Sequence, residues 1–152
     1  MMSDVRTILL AEDNANDLEL TLAALDENRV ANEVIAVRDG EEAIEYLELR
    51  GRFAGRRGGN PVLVLLDLKM PKVDGLEVLR HIKTSPALRT IPVVMLTSSR
   101  EESDLVRSYE LGVNAYVVKP VDFSDFMTAV RRLGGFWAVV NEVPRSVAKR
   151  AP

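Results

Sequence analysis

Residues 62 to 75 read Val-Leu-Val-Leu-Leu-Asp-Leu-Lys-Met-Pro-Lys-Val-Asp-Gly, and the five apolar residues at the start of this stretch run directly into the carboxylate of Asp67. Five apolar residues without polar alternation favour a β-strand covered on both faces, as in a parallel sheet packed between helices. Asp67 is therefore predicted to lie at the carboxyl end of a buried strand. Ligands bind at this edge of open α/β sheets, because the strands stop there and the loops form a crevice.

Four further β-prone runs alternate with segments of helical periodicity on either side of this stretch. The predicted strands are 7–11, 33–37, 62–66, 92–96 and 115–118. The first predicted helix runs from Ala15 to about 27, and the second follows a turn at Asp39-Gly40 and ends near Arg50. The other predicted helices lie around 76–82, from about Glu101 to Leu111, and from Asp122 or Ser124 onward. Units of this size need right-handed parallel crossovers, so the chain is predicted to form a doubly wound five-stranded α/β sheet.

The apolar stripes of the predicted helices indicate which faces enter the core. Leu18, Leu22 and Leu25 recur at helical spacing in the first helix, and Ala43, Ile44, Tyr46 and Leu47 in the second. Leu76, Leu79 and Ile82 form the stripe of the third helix, with Val78 at its border. The stripe from Phe123 to Trp137 is interpreted as core, and Gly134-Gly135 is expected to bend or end the last helix.

Composition and charge narrow the classes of protein. The 152 residues fit one compact domain, and the absence of cysteine excludes disulfides, thiolate nucleophiles and Cys-based metal sites. No apolar run approaches the roughly 20 residues of a membrane span, and the start lacks the apolar core of a signal peptide, so a cytoplasmic protein is expected. A net charge of -3 gives no bulk attraction to nucleic acid.

Residues 51 to 61 contain four glycines and a proline, and they are predicted to form a lengthened loop. The loop is not a phosphate-binding P-loop, because no Gly-Lys-Ser/Thr follows and a strand comes next. Its arginines and the one before it could suggest phosphate or nucleic-acid contact, but a solvated loop is favoured because no basic helical face accompanies them. These are Arg50, Arg52, Arg56 and Arg57.

Polar side chains follow four of the five predicted strands: Glu12 and Asp13, Asp67, Thr97 and Lys119. Three carboxylates held close together repel one another unless a cation lies among them, and Mg²⁺ is usually held by one or two carboxylates together with a phosphate. Beside such a cation, Asp67 could act as nucleophile toward an activated phosphoryl group. Lys119 and the Thr97 hydroxyl would then bind the phosphoryl oxygens.

These residues, together with Met70-Pro71, Asp74-Gly75 and Lys119-Pro120, stand in the order and spacing of the receiver domain of two-component response regulators, which the chain resembles over roughly residues 5 to 133. The resemblance implies a flavodoxin-like (βα)5 fold with strand order 2-1-3-4-5. It implies that Asp67 is the phosphoacceptor and that Thr97 and Lys119 contact the phosphoryl group. It also implies a cis peptide between Lys119 and Pro120.

The resemblance also implies a divalent cation. Asp13 would be the direct Mg²⁺ ligand, Glu12 would act through water, Asp67 would be a further ligand and the backbone carbonyl of Lys69 the third protein ligand. Mn²⁺ or Ca²⁺ could replace Mg²⁺.

Tyr116 stands where the switch aromatic of the family sits. The resemblance implies that the Thr97 hydroxyl moves toward the phosphoryl group and that Tyr116 then turns inward, which reshapes the face of the fourth helix, fifth strand and fifth helix. Taken alone, Tyr116 would be a half-buried core residue.

A narrower resemblance is to the stand-alone regulators that partner phytochrome-type sensor histidine kinases. It rests on the lengthened loop, the absence of an output domain and the ending Phe-Trp-Ala-Val-Val-Asn-Glu at 136–142. It implies a receiver domain over 5–140 with an extended last helix, a C-terminal tail over 141–152, and a homodimer through the fourth-helix to fifth-helix face.

Two single residues carry separate expectations. Lys69 stands where a smaller polar residue is frequent in that subgroup, and its long cation could reach the phosphoryl group or block the water that hydrolyses it. His81 is interpreted as a plain surface residue and not as a phosphoryl relay.

Three classes of function remain open. The first is a phosphoryl-accepting switch, which is not an enzyme beyond catalysing its own phosphoryl transfer and dephosphorylation. The second is an interaction module that keeps the fold but never turns over phosphate. The third is an aspartate-nucleophile phosphatase of the haloacid dehalogenase type, which would need an aspartate where Lys69 stands.

Overall fold

The computed structural model describes residues 7–27, 33–119 and 123–132, and these form a five-stranded parallel sheet with helices on both faces. In chain order the elements are β1 (Thr7–Ala11), α1 (Ala15–Glu27), β2 (Glu33–Val37), α2 (Gly40–Glu48), η1, a 3-10 turn (Gly51–Phe53), β3 (Leu63–Leu66), α3 (Gly75–Thr84), β4 (Val93–Thr97), α4 (Glu102–Glu110), β5 (Ala115–Val118) and α5 (Phe123–Arg131). The strand order is β2-β1-β3-β4-β5. The predicted doubly wound fold and its strand order are confirmed.

Two apolar clusters lie on opposite faces of the sheet, and the strand β3 contributes to both. Val64 and Leu66 enter the cluster that includes residues of α2 and α3, whereas Leu63 and Leu65 enter the cluster that includes residues of α1. All four side chains are at most 2% exposed. Successive residues of a strand point to opposite faces, so a strand covered on both sides needs an unbroken apolar run.

Three of the helices begin at a polar residue whose side chain caps the helix. The carboxylates of Asp39 and Asp74 accept hydrogen bonds from the backbone N–H of Glu42 and Glu77, at 2.8 and 3.0 Å. Asn14 accepts one from the backbone of Asp17 at 2.9 Å, which confirms its predicted capping role. Such caps satisfy N–H groups that have no partner within the helix.

The stripes of two helices differ from those predicted. Leu22 is 37% exposed, because the buried face of α1 is centred on Thr21, Ala24 and Leu25 and leaves Leu22 at its rim. Val78 is completely buried and does not lie at a border. Since α3 contacts both α2 and α4, its buried face is wider than the stripe read from the sequence.

The lengthened loop is folded onto α2 by Arg56. Its guanidinium lies 4.0 Å from the ring centroid of Tyr46 and donates two hydrogen bonds, of 3.0 and 2.8 Å, to the carbonyl of the same residue. The prediction of a solvated loop is wrong for Arg56, because a planar cation can stack on an aromatic ring and bind a helix carbonyl together. It is right for Arg50 and Arg57, which are exposed. Arg52 is exposed as well, but its guanidinium lies 4.4 Å from the ring centroid of Phe53 and 3.5 Å from Glu42 Oε1.

Several predictions fall outside the described residues: the Lys119-Pro120 peptide, the start of the last helix at Asp122, the Gly134-Gly135 interruption, Phe136 to Val140 with Trp137, and the tail 141–152. The expected domain bounds of 5–140 therefore stay a prediction. Among the described residues no helix is long and apolar enough to cross a membrane.

Candidate functional site

The strands bring the polar residues that follow them to one edge of the sheet. Backbone hydrogen bonds fix this alignment, since the N–H of Asp67 donates to the carbonyl of Ala11 at 3.0 Å and the N–H of Lys119 donates to that of Thr97 at 2.7 Å. Glu12 directly follows Ala11. The expectation that these residues share one crevice is confirmed for Glu12, Asp67 and Lys119, which are linked by direct contacts.

Three carboxylates form a cluster in this crevice. One oxygen from each of Glu12, Asp13 and Asp67 lies within 4.8 Å of the others. Glu12 and Asp67 are 2% and 7% exposed, whereas Asp13 is open to solvent. At such separations like charges disfavour one another, so the cluster favours a cation.

The ammonium group of Lys119 contacts three carboxylates. Its Nζ lies 2.5 Å from Glu12 Oε1, 3.0 Å from Asp17 Oδ2 and 3.4 Å from Asp67 Oδ2. Lys119 is 9% exposed. A buried ammonium of this kind is stabilised only by such pairing, and its longest contact is the one to Asp67.

Asp17 is the member of this group that sequence reasoning missed. It lies in the first turn of α1, four positions after Asp13. The first turn of a helix that follows a strand directly lies at the carboxyl edge of the sheet, and this position is the signal that could have placed Asp17 at the site.

The pKa values at the site are shifted by burial and by charge. Burial raises the pKa of Glu12 to about 7, although its hydrogen bond with Lys119 works in the opposite direction. For Lys119, burial alone lowers the pKa, but the hydrogen bond from its ammonium to Glu12 and the charge of Asp67 together raise it above its ordinary value. The cluster therefore carries more negative charge than one lysine can neutralise without cost.

Asp67 Oδ1 is buried and has no hydrogen-bond partner among the described residues. A buried polar atom without a partner is costly, and here it lies on the residue that joins the carboxylate cluster. A hard divalent cation prefers oxygen ligands of this kind. The carboxylates of Glu12, Asp13 and Asp67 therefore fit a divalent cation.

The loop after β3 turns tightly beside Asp67. The N–H of Gly75 donates to the carbonyl of Leu68 at 2.7 Å, and a Cβ at Gly75 would come within 2.3 Å of the Asp67 carbonyl oxygen. Glycine is needed here because of this close backbone approach. The turn also leaves Lys69 exposed, with no described residue donating to its carbonyl.

The Lys69 side chain lines an open cleft of about 600 Å³ that also includes Asp13 and, from α4, Asp104 and Arg107. Of the carboxylates described, none comes within 4 Å of its ammonium group. Lys69 therefore lines the same cleft as Asp13, without an ion pair of its own among the described carboxylates.

Thr97 is completely buried and is linked to Tyr116 through Ser99. The Thr97 hydroxyl accepts a hydrogen bond from the Ser99 N–H at 3.2 Å, and the Tyr116 hydroxyl donates to the Ser99 carbonyl at 3.2 Å. The Ser99 hydroxyl donates to Asp104 Oδ2 at 2.6 Å, which ties the same loop to α4. Sequence reasoning did not identify Ser99 or Asp104 as part of this network.

Tyr116 itself is half-buried and packs against the apolar cluster on the α2 and α3 side of the sheet. Its core role and its link to Thr97 coexist in this conformation. His81 is half-exposed and pairs with Glu48 of α2 at 2.7 Å, so it joins two helices instead of facing the carboxylate cluster.

Comparison with known proteins places this geometry in context. The model of the response regulator receiver domain matches residues 8–131. Response regulator Rcp1 of Synechocystis sp. is 40% identical over 139 residues, which cover 91% of this chain and 93% of Rcp1. A crystal structure of the Mn²⁺-bound form of a response regulator Rcp1 has a TM-score of 0.79 at 41% identity, covering 87% of this chain and 94% of that one.

Two further solved structures of similar proteins are phytochrome response regulators. The bacteriophytochrome response regulator AtBRR is 64% identical, with a TM-score of 0.74, covering 91% of this chain and 99% of AtBRR. The phosphorylated cyanobacterial phytochrome response regulator RcpA is 44% identical, with a TM-score of 0.79, covering 88% of this chain and 94% of RcpA. Similarity of this extent covers the strands, the helices and the crevice together.

Proposed function

The chain belongs to the response regulator receiver domain family, and we propose that it is a signalling protein that accepts a phosphoryl group on Asp67. The observation that carries this proposal is the state of Asp67. One of its oxygens lies 3.4 Å from the Lys119 ammonium, and the other is buried, without a hydrogen-bond partner among the described residues, beside Glu12 and Asp13. A carboxylate kept in a cleft with a cationic side chain on one oxygen is suited to act as a nucleophile.

The proposed reaction transfers a phosphoryl group from a phosphohistidine of a sensor histidine kinase. An oxygen of Asp67 forms the new bond to phosphorus, the phosphorus–nitrogen bond breaks, and the imidazole leaves with the electron pair and takes up a proton. Lys119 binds an oxygen of the transferred group, and the Thr97 hydroxyl donates to another. Hydrolysis by water later returns Asp67 and releases inorganic phosphate.

Asp13, Asp67, the carbonyl of Lys69 and, through water, Glu12 would hold Mg²⁺. When bound, Mg²⁺ would stabilise the negative charge that is spread over the phosphoryl oxygens during transfer. The raised pKa of Glu12 supports this assignment, and so does the Asp67 oxygen that has no partner in the described part of the chain, because a nearby cation would relieve both.

We assign the kinase to the phytochrome type, because two of the similar proteins described above are phytochrome response regulators. The output face would be the one formed by α4, β5 and α5. Leu105, Val106 and Tyr109 of α4 are 37%, 46% and 52% exposed, so this helix presents apolar side chains that a second copy of the chain could cover in a homodimer.

The switch would use the Thr97–Ser99–Tyr116 network. Movement of the Thr97 hydroxyl toward a phosphoryl group removes the acceptor of the Ser99 N–H, and Ser99 also carries the contacts to Tyr116 and Asp104. The loop before α4 would then shift, together with the face that α4 presents.

The proposal is tested by incubating the protein with acetyl phosphate, with and without Mg²⁺, and measuring intact mass. We expect a Mg²⁺-dependent gain of one phosphoryl group that is absent in Asp67→Asn. Absence of any gain in the native protein would favour an interaction module that does not use phosphate. A gain that persists in Asp67→Asn would place the acceptor on another residue.

A further inference from the structure

Asp17 is the third carboxylate that contacts Lys119, although it lies in α1 and does not directly follow a strand. Its Oδ2 lies 3.0 Å from Nζ, closer than Asp67 Oδ2 at 3.4 Å. The side chain of Asp17 is 34% exposed, whereas those of Glu12 and Lys119 are 1% and 7% exposed. Asp17 therefore reaches a buried ammonium from a more open position on α1.

The backbone of Asp17 is held by other groups, which leaves its carboxylate free for Lys119. Its N–H donates to the Asn14 side chain at 2.9 Å, and its carbonyl accepts from the Thr21 hydroxyl at 2.9 Å. Glu12 is held equally firmly, because its Oε2 accepts from the backbone N–H of Asn14 at 3.1 Å. Two acceptors on fixed backbone thus hold two of the ammonium protons.

An ammonium group has three N–H donors, and Lys119 has three carboxylate acceptors. The contact to Asp67 is the longest of the three and is the one nearest the proposed phosphoryl group. Lys119 can therefore pass its third donor from Asp67 to a phosphoryl oxygen while Glu12 and Asp17 keep the other two.

We propose that Asp17 is a positioning residue for Lys119, which it holds in the orientation needed to bind the phosphoryl group during transfer. This inference rests on the proposed phosphoryl transfer to Asp67 and adds a residue of α1 to that site. Without Asp17, Lys119 keeps one short carboxylate contact and gains rotational freedom, so its donor is aimed at the phosphoryl oxygen for less of the time.

The test is a double-mutant cycle on phosphoryl uptake from radiolabelled acetyl phosphate at saturating Mg²⁺. Saturating cation removes any effect of Asp17 on cation affinity. We expect Asp17→Ala to lower the initial rate about tenfold, and Asp17→Asn, which keeps a neutral acceptor, to lower it less. In a Lys119→Met background the same Asp17→Ala change should alter the rate by less than about twofold.

Glu19→Gln is the matched control, because Glu19 is an exposed carboxylate on the same helix. It removes the same charge and should leave the rate unchanged. Equal slowing by Asp17→Ala in both backgrounds, or equal slowing by Glu19→Gln, would overturn the positioning role. A native rate after Asp17→Ala would overturn it as well.

Urea unfolding without divalent cation measures the Asp17–Lys119 contact independently of phosphorylation. The four proteins compared are the native protein, Asp17→Ala, Lys119→Met and the double variant. We expect the two substitutions to be non-additive in the free energy of unfolding, and additivity would show that Asp17 and Lys119 are not coupled. Failure of the whole phosphorylation proposal has a different signature, because native protein and Asp67→Asn would then take up equal label.

Discussion

Two lysines at opposite edges of the sheet have pKa values that are shifted in opposite directions. Lys119, at the carboxyl edge, donates to three carboxylates, and its pKa is raised even though burial alone would lower it. Lys83, in the last turn of α3, donates to the backbone carbonyls of Arg89 and Ile91 at 3.1 and 2.8 Å, and burial lowers its pKa. The ordinary desolvation penalty is thus outweighed only where ionised partners surround the ammonium.

The two lysines also differ in role, since Lys83 supports the fold and Lys119 lies in the candidate site. Lys83 binds two carbonyls of the segment that leads into β4, so it fastens a connection at the edge opposite the crevice. Lys119 is surrounded by more negative charge than it needs. Such an excess of buried negative charge lowers stability, and it suits a site that accepts a cation and a phosphoryl group.

Replacing each lysine by methionine gives the largest expected contrast. Lys119→Met should lower phosphoryl uptake about 100-fold, because it removes a donor to the transferred group. It should also destabilise the cation-free protein by about 3 to 5 kcal/mol, since buried carboxylates lose their partner. Intact-mass kinetics and urea unfolding measure both effects.

Lys83→Met is the control. We expect it to take up the phosphoryl group at the native rate and to change the free energy of unfolding by no more than about 1 kcal/mol. Similar losses of uptake in the two variants would mean that the two edges are not functionally distinct.

Lys69 tests whether a cation at the rim of the crevice acts without direct contact. We expect Lys69→Asn to speed loss of the phosphoryl group from Asp67 by about fivefold or less, because an exposed charge contributes about 1 kcal/mol at most. The decay of phosphorylated protein is measured after acetyl phosphate is removed.

Lys72→Asn provides the matched control, because Lys72 is an exposed lysine in the same loop and its φ of 68° suits asparagine. Equal decay rates for the native protein and Lys69→Asn would discard the idea that Lys69 shields the acyl phosphate from water.

The smallest expected effect is a rise in the free energy of unfolding at alkaline pH, which is due to Lys83. Its folded-state pKa lies below the ordinary value of 10.5, so between these two values the folded protein has released a proton that the unfolded chain still holds. The free energy of unfolding therefore rises with pH in that window, and the rise ends at about 10.5. Lys119, with its raised pKa, stays charged over the same window.

Urea unfolding at a series of pH values up to 10.5 should show this rise in the native protein and a smaller one in Lys83→Met. If the two curves are parallel, the environment of Lys83 does not penalise its charge.

Much of the fold could be predicted because it depends on local pattern. The bounds of β1, β2 and β5 agree with the prediction, and β3 and β4 differ by one residue at their ends. The apolar runs decide this outcome, since a strand buried on two faces leaves little freedom in its composition. Leu22 and Val78 were misplaced because burial at the rim of a helix depends on its neighbours and not on its own periodicity.

The site was predicted to the extent that it consists of residues directly after strands. Glu12, Asp67 and Lys119 follow strands and meet as expected. Asp17, Ser99 and Asp104 were not anticipated, because their contacts depend on how α1 and α4 pack beside the crevice. Arg56 was assigned to solvent because nothing local reveals that the loop folds back over Tyr46.

The sequence by itself determined the alternation of strands and helices and the polar residue at each strand end, because backbone periodicity and burial follow from neighbouring residues. Tertiary structure decided which of these residues touch. Lys119 and Glu12 are 107 positions apart, and their ion pair exists only because β1 and β5 lie in one parallel sheet on either side of β3 and β4. The raised pKa of Glu12 arises in the same way, from burial that only the packed sheet imposes, and so does the Asp67 oxygen that lacks a partner within residues 7–27, 33–119 and 123–132.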